Sequence, residues 1–429
     1  MLNLANPVPP EKGENTMQPT VLLIGTADTK SDELLFLRER LELAGANVRV
    51  MDVGVLQPAR FAPEIANHAV AAAAGCTLDD VRASGDENSA MALMARGAAA
   101  LAVQEHAAGR IHGMLALGGT MGTDLALDVA AALPLGVPKF VLSTVAYSHL
   151  IAPERIAPDL MMLLWAGGLY GLNSLCRSAL AQAAGAVVGA CRSAVPAHGD
   201  KPVVGMTSLG SSALRYMLTL RPALEARGYE VAVFHTTGMG GRAFEAIAQQ
   251  RGFVAVMDFS LQEVANDVLG SCVTAGPDRL LSAGRAGVPQ IVAPGAIDMV
   301  DYQAWGPPPA EFAHRPQHAH NRLIASASTP PDVRRAVARR IGERLAQATA
   351  PTCFLLPTQG IEGWDRPGEP LHDPEALGAF VDEMRKAVPR GVRLVELDAH
   401  INDAAFTDAA LAVFDEWVRD GVIARGAQG

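Results

Sequence analysis

The chain has 429 residues, more than one hydrophobic core normally spans, so its length predicts two or three domains. Its formal charge of -10 argues against a nucleic-acid surface, which needs clustered Lys and Arg. Five scattered cysteines without a CxxC fit a reduced cytoplasmic chain with neither a disulfide framework nor a cysteine zinc site, and no apolar run approaches the roughly 18 residues of a membrane span.

Residues 1–18 carry Pro, Asn, Glu and Lys without an apolar centre and read as a disordered tail rather than a signal peptide. An N-terminal domain is expected over 19–194. It opens on a short apolar run, 21–24, that reads as a buried strand. The following loop holds Gly25, Thr26, Asp28, Thr29 and Lys30, and a helix with leucines at helical spacing begins near 32. A loop between a parallel strand and a helix N-terminus presents backbone N–H groups and the positive end of the helix dipole. Its hydroxyls, carboxylate and ammonium suit a phosphate, a metal or a ribose; an ordinary capped turn uses the same residue types. A second strand is expected at 48–53, then Ala-rich helices over 62–74 and 91–108 with a polar loop, 83–89, between them.

The apolar run 111–117 leads into a second glycine loop, Gly118, Gly119, Thr120, Met121, Gly122 and Thr123, with a helix after it. A strand over 139–143 ends on Ser143 and Thr144. The apolar, Gly-interrupted stretch 159–173 reads as a strand and loop, and a helix follows over 175–191. Residues 195–202 have linker composition, and a second domain is expected over 203–429. There the strand–glycine loop–helix pattern returns, most clearly at Gly238, Gly240, Gly241 and Arg242 after the strand 230–235. Further strands are expected at 254–258, 290–293, 352–356 and 393–397, with helices over 373–388 and 403–419. The alternation predicts two Rossmann-like, doubly wound parallel-sheet domains with a ligand cleft between them.

A different cluster follows the strand at 290–293. Asp298 is succeeded by His314, Arg315, His318, His320 and Asn321. His318 and His320, two residues apart in an extended segment, point the same way. With Asp298 they form a candidate divalent-metal set, and either imidazole is a candidate acid–base group. Arg315 suits a carboxylate or phosphate clamp. The spacing matches no zinc signature, and a polar loop whose histidines bond to backbone would look the same.

Read together, GTADTK at 25–30, GGTMGT at 118–123, STVAYS at 143–148, FHTTGMGGRAFE at 234–245, PGAIDM at 294–299, the Arg315/His318/His320/Asn321 cluster and PTQGIE at 357–362 resemble the ATP-binding family of the plant tobamovirus-resistance protein and its bacterial homologues. The likeness runs from about residue 19 to 424. Met121 stands where that family often has glycine, and Ile361 departs from its usual serine-like continuation. The resemblance implies two Rossmann-like subdomains, ATP binding with magnesium, and a homodimer. It does not imply the plant protein's antiviral activity, and it does not settle a reaction.

The resulting expectation is a cytoplasmic nucleotide-binding enzyme. ATP phosphates would lie at 25–30 and 118–123, Asp28 would hold Mg²⁺, and Lys30 would neutralise charge. The second domain would offer 238–242 and the histidines to a small-molecule substrate. Two alternatives remain open: a metal-dependent enzyme, with Zn²⁺ or another divalent ion on Asp298, His318 and His320, and a non-catalytic nucleotide sensor.

Overall fold

The structure is a computed structural model that describes residues 18–196, 199–210 and 215–427. Residues 1–17 of the expected tail, and Ser211 and Ser212 ahead of the first C-terminal helix, lie outside these. The chain divides into two compact units, Met1–Ala197 and His198–Gly429.

The N-terminal unit contains β1 (Thr20–Gly25), α1 (Ser31–Leu43), β2 (Asn47–Asp52), α2 (Asn67–Ala73), α3 (Leu78–Arg82), α4 (Glu87–Ala107), β3 (Gly113–Gly118), α5 (Thr120–Ala132), β4 (Lys139–Ser143), β5 (Leu160–Leu164) and α6 (Ser174–Ser193). Its five strands pair in parallel in the order β2-β1-β3-β4-β5. Alternation along β1 builds both faces. Leu22 and Ile24 pack with α4 and α5, whereas Val21 and Leu23 pack with α1 and α6. All four are buried, and a fully buried side chain of this kind stabilises the fold by roughly 1.5–3 kcal/mol. The strand order reverses between β1 and β3, and the helices that follow them leave on opposite faces. That arrangement opens a crevice at the carboxyl ends of these two strands.

The C-terminal unit contains β6 (Val203–Ser208), α7 (Arg215–Glu225), β7 (Glu230–His235), α8 (Met239–Gln249), β8 (Ala255–Ser260), α9 (Gln262–Val268), α10 (Ser282–Ala286), β9 (Gln290–Gly295), β10 (Met299–Gln303), β11 (Gln317–Ala319), β12 (Ile324–Ser328), α11 (Pro331–Leu345), β13 (Thr352–Pro357), α12 (Pro374–Ala387), β14 (Arg393–Leu397) and α13 (Ala404–Arg419). Six strands pair in parallel in the order β14-β13-β9-β8-β6-β7, with a reversal between β6 and β8. Both units are Rossmann-like, as the alternation predicts.

Three local expectations change. The helix expected over 62–74 starts only at Asn67, because Ile65 first bridges to Met51 beside β2. The loop expected over 83–89 is shorter, since Asp86 accepts the Ser89 N–H at 2.8 Å and caps α4 at Glu87. The polar stretch around the histidines is a separate antiparallel sheet, β10-β12-β11, with His318 paired to Ser326.

Candidate functional site

The first two glycine loops meet where the N-terminal strand order reverses. Together with the start of α4 they border an open cavity of about 760 Å³, within the 300–1,000 Å³ of typical ligand pockets. Thr26, Asp28, Thr29 and Lys30 line it from the β1–α1 side, and Gly118, Gly119, Thr120 and Gly122 from the β3–α5 side. Val53, Val55, Met91 and Met94 supply an apolar wall.

The two loops are not equivalent. The β1–α1 loop satisfies its own backbone: the Thr29 and Lys30 N–H groups both donate to the Thr26 carbonyl, and the Ala27 N–H donates to buried Asp52 at 2.9 Å. Thr26 and Thr29 hydroxyls bond to each other at 2.8 Å. In the β3–α5 loop the N–H groups of Thr120, Met121 and Gly122 have no acceptor among the described residues, and Gly119 provides no side-chain cap. They are the orphan donors of a helix N-terminus, directed at the end of the cavity where an anion is best stabilised.

Lys30 borders the same cavity. Its ammonium donates to the Leu169 carbonyl at 2.5 Å and lies 4.7 Å from the centre of the Tyr170 ring, which fixes its position at the cavity edge. Asp28 has one oxygen engaged by the Leu56 N–H at 2.9 Å, while Oδ1 is buried without a hydrogen-bond partner among the described residues. An unpaired carboxylate oxygen is the kind of ligand that Mg²⁺ takes, together with the phosphates of a substrate. Thr123 and Ser143 do not reach the cavity. They are buried and their hydroxyls bond each other at 2.7 Å, tying α5 to β4. Thr144 spends its N–H on the Gly118 carbonyl and is absent from the cavity wall.

The third glycine loop is filled from within. The N–H groups of Gly238 and Gly241 donate to the carboxylate of buried Glu263 at 2.6 and 3.1 Å. A Cβ on Gly241 would lie 1.7 Å from a Glu263 oxygen, so glycine is needed there to admit the carboxylate. The loop expected to hold a cofactor phosphate holds an anion of the protein itself. Arg242 lines a separate recess, with its guanidinium near Asp278. Gly240 packs against the His235 carbonyl. Sequence reasoning missed Glu263, which lies more than twenty residues downstream in α9.

His318 and His320 do point the same way. They line a second recess, at the carboxyl ends of β6 and β8, with His235, Gln262, Asp301, Ser326 and Trp364. Asp298, expected beside them, is elsewhere. Its side chain is fully buried, neither oxygen has a hydrogen-bond partner among the described residues, and the charged groups acting on it include Arg334, Asp365 and Asp373. Asp301, on β10, takes the place beside the histidines because β10 runs along β12 next to them. Among the described residues no three His, Cys, Asp or Glu side chains are grouped to hold a metal ion. Arg315 is engaged structurally, by the Ser328 and Thr329 carbonyls and by Asp373 at 3.1 Å, and joins the end of β12 to the start of α12.

Around Asp298, burial pushes its own carboxyl and that of Glu362 upward, and each is pushed further by neighbouring carboxylates. Burial also raises Glu263, to about 7. In acid these groups are protonated whether the chain is folded or not. As pH rises from about 4, the unfolded chain releases its protons first, so the folded state binds more protons and loses stability up to and beyond pH 7. Chemical denaturation of Glu362→Gln and wild type at pH 5 and pH 8 checks this. The variant should gain on wild type as pH rises, and an unchanged gap would refute the assignment.

Residues 19–196 match the N-terminal domain, and residues 201–418 the C-terminal domain, of the "Uncharacterised protein family (UPF0261)". The chain belongs to the UPF0261 family. A UPF0261 protein of Brucella melitensis is 59% identical over 96% of this chain and 99% of its own length. A UPF0261 protein of Clostridium tetani is 33% identical over 92% of this chain and 97% of its own. The tomato ToMV resistance protein Tm-1 is 29% identical over 93% of this chain, and the match spans 56% of the tomato protein. The glycine loops, the Glu263 carboxylate and the histidine recess of this UPF0261 chain all fall inside the matched residues. None of its described helices is long and apolar enough to cross a membrane.

Proposed function

We propose that this protein binds a nucleotide polyphosphate, ATP with Mg²⁺, in the cavity of its N-terminal unit. The observation that carries the reading is that Lys30 and the unpaired first-turn amides of α5 border one cavity, which also has an apolar wall. The phosphates lie on Thr120–Gly122 with Lys30 as counter-charge, Asp28 Oδ1 faces the metal, and the base packs on Val53, Val55, Met91 and Met94. The family resemblance of these two loops points to the same ligand. Among the described residues that line the cavity there is no His or Cys. The groups present neutralise and position phosphate, so binding is the primary activity assigned, and any phosphoryl transfer would rest on positioning and charge.

Calorimetry with ATP–Mg²⁺ on the full chain should give one site per chain. Lys30→Ala should weaken it about tenfold, the worth of one charge-assisted contact. Ala90→Trp, which fills the apolar half of the cavity, should abolish the heat. Absence of heat with wild type, or wild-type affinity in both variants, would overturn the reading.

A further inference from the structure

The recess at the reversal point of the C-terminal sheet has no part in the nucleotide reading. Gln262 opens α9, Asp301 lies on β10, and His318 and Ser326 face each other across the β11–β12 pair. We propose that this recess is a second small-molecule site, selective for an uncharged or cationic ligand rich in O–H or N–H donors, with Gln262 as the residue that anchors it.

Gln262 borders the recess and is 1% exposed, and its buried amide oxygen has no hydrogen-bond partner among the described residues. A buried acceptor left unpaired is costly, and a ligand O–H or N–H would satisfy it. The amide stays oriented because Asp301 also engages it by hydrogen bonding. The charges point the same way. No Lys or Arg is among the described residues that line the recess, and its one carboxylate is Asp301. Asp301 is held by the Ser326 hydroxyl at 2.5 Å and the Asn266 amide at 2.9 Å, with no guanidinium or ammonium among the described residues that line the recess; the charged group that acts on it is the His320 imidazole. Burial holds the His235 and His318 imidazoles below their ordinary range, so at neutral pH both are uncharged donors and acceptors. An anion entering here would meet a buried carboxylate with no Lys or Arg beside it and the His320 imidazole as its only opposing group in the lining, whereas a hydroxyl or ammonium would meet acceptors. His318 lies on the Trp364 ring, 4.0 Å between centroids, which holds its edge in place beside His320. A small carboxylated substrate does not suit this wall; a small polyol or amine does.

The test uses the full chain labelled with ¹⁵N-histidine, without nucleotide, so that its failure leaves the ATP reading untouched. D-ribose is the neutral probe, ethanolamine the cationic one, and inorganic phosphate the anionic control, all at millimolar concentration. Ribose or ethanolamine should give saturable shifts confined to His235, His318 and His320, and which of them does so decides between polyol and amine. Gln262→Leu should weaken that binding at least tenfold. His318→Phe, which keeps the ring on Trp364, should weaken it while leaving the remaining histidine signals in place as evidence of folding. Saturation by phosphate, no saturable shift with either donor probe, or wild-type binding in Gln262→Leu would overturn the proposal.

Discussion

Replacing Arg279 by Met should destabilise the C-terminal unit by about 3–5 kcal/mol or prevent it from folding, the cost of stranding buried charges. Arg279 is fully buried, and all five of its N–H donors are used. Nε donates to Glu263 at 2.8 Å, Nη1 to Glu245 at 3.1 Å and Asp258 at 2.5 Å, and Nη2 to Asp258 at 2.7 Å and the Ser260 carbonyl at 2.9 Å. Three carboxylates therefore converge on one guanidinium. Their remaining oxygens are bonded as well: the Thr207 hydroxyl reaches Asp258, the Leu280 and Ser282 amides reach Glu245, and the Gly238 and Gly241 amides reach Glu263. The cluster binds α8, β8 and α9 together and closes the third glycine loop from within. Without the guanidinium, the carboxylates must take up protons or separate. Lys, with three donors on a flexible stem, can serve only part of this geometry, so Arg279→Lys should fall between Met and wild type. Denaturant unfolding followed by the fluorescence of Trp305, Trp364 and Trp417 in this unit checks it. Wild-type stability in Arg279→Met would mean that the cluster is not what holds these elements together.

That cluster also marks the limit of what the sequence discloses. The parallel strands were legible because buried strands are written as short apolar runs; 21–24 and 352–356 are fully apolar or nearly so, and β1 and β13 lie over them. The loops after them were legible from glycine. What glycine does not say is which anion its amides receive. Gly118–Gly122 and Gly238–Arg242 look alike in sequence, yet the first leaves its amides unpaired and the second surrenders them to Glu263. The partner residues 245, 258, 263 and 279 carry no periodic signal, and their convergence depends on how α8, β8, α9 and the segment before α10 pack together. The β10-β12-β11 sheet was hidden for a related reason. Its strands are short and partly polar, with histidines and serines where an apolar run would otherwise announce a strand. Pairing His318 and His320 on one side needed only the two-residue strand period. Choosing Asp301 over Asp298 as their neighbour needed the register of β10 on β12, which a sequence does not display.

Gly118→Ala should lower ATP affinity at least a hundredfold, whereas Gly119→Ala should change it by no more than about threefold, a contrast of more than about 2 kcal/mol. The two glycines are adjacent and interchangeable to the eye, and their surroundings set them apart. A Cβ on Gly118 would lie 2.5 Å from Gly122 Cα, 2.7 Å from its carbonyl carbon and 2.9 Å from the Thr123 nitrogen. All three are backbone atoms of the first turn of α5 and cannot rotate away. The only relief is for α5 to withdraw from β3, which also breaks the buried Thr123–Ser143 hydroxyl bond that seats it. Overpacking of this kind typically costs about 1–3 kcal/mol in stability. Its effect on binding is larger, because it moves as a body the amides of Thr120, Met121 and Gly122 on which we propose that the phosphates lie, and misplacing such donors by about an ångström removes their advantage. A Cβ on Gly119 meets only the Thr144 hydroxyl, at 3.8 Å, and its φ of -75° is open to any residue. Calorimetry on both variants, with thermal unfolding to confirm that each is folded, separates the outcomes. Equal losses would mean that the amides act without regard to the seating of α5, and retention of affinity in Gly118→Ala would remove the helix N-terminus from the nucleotide site altogether.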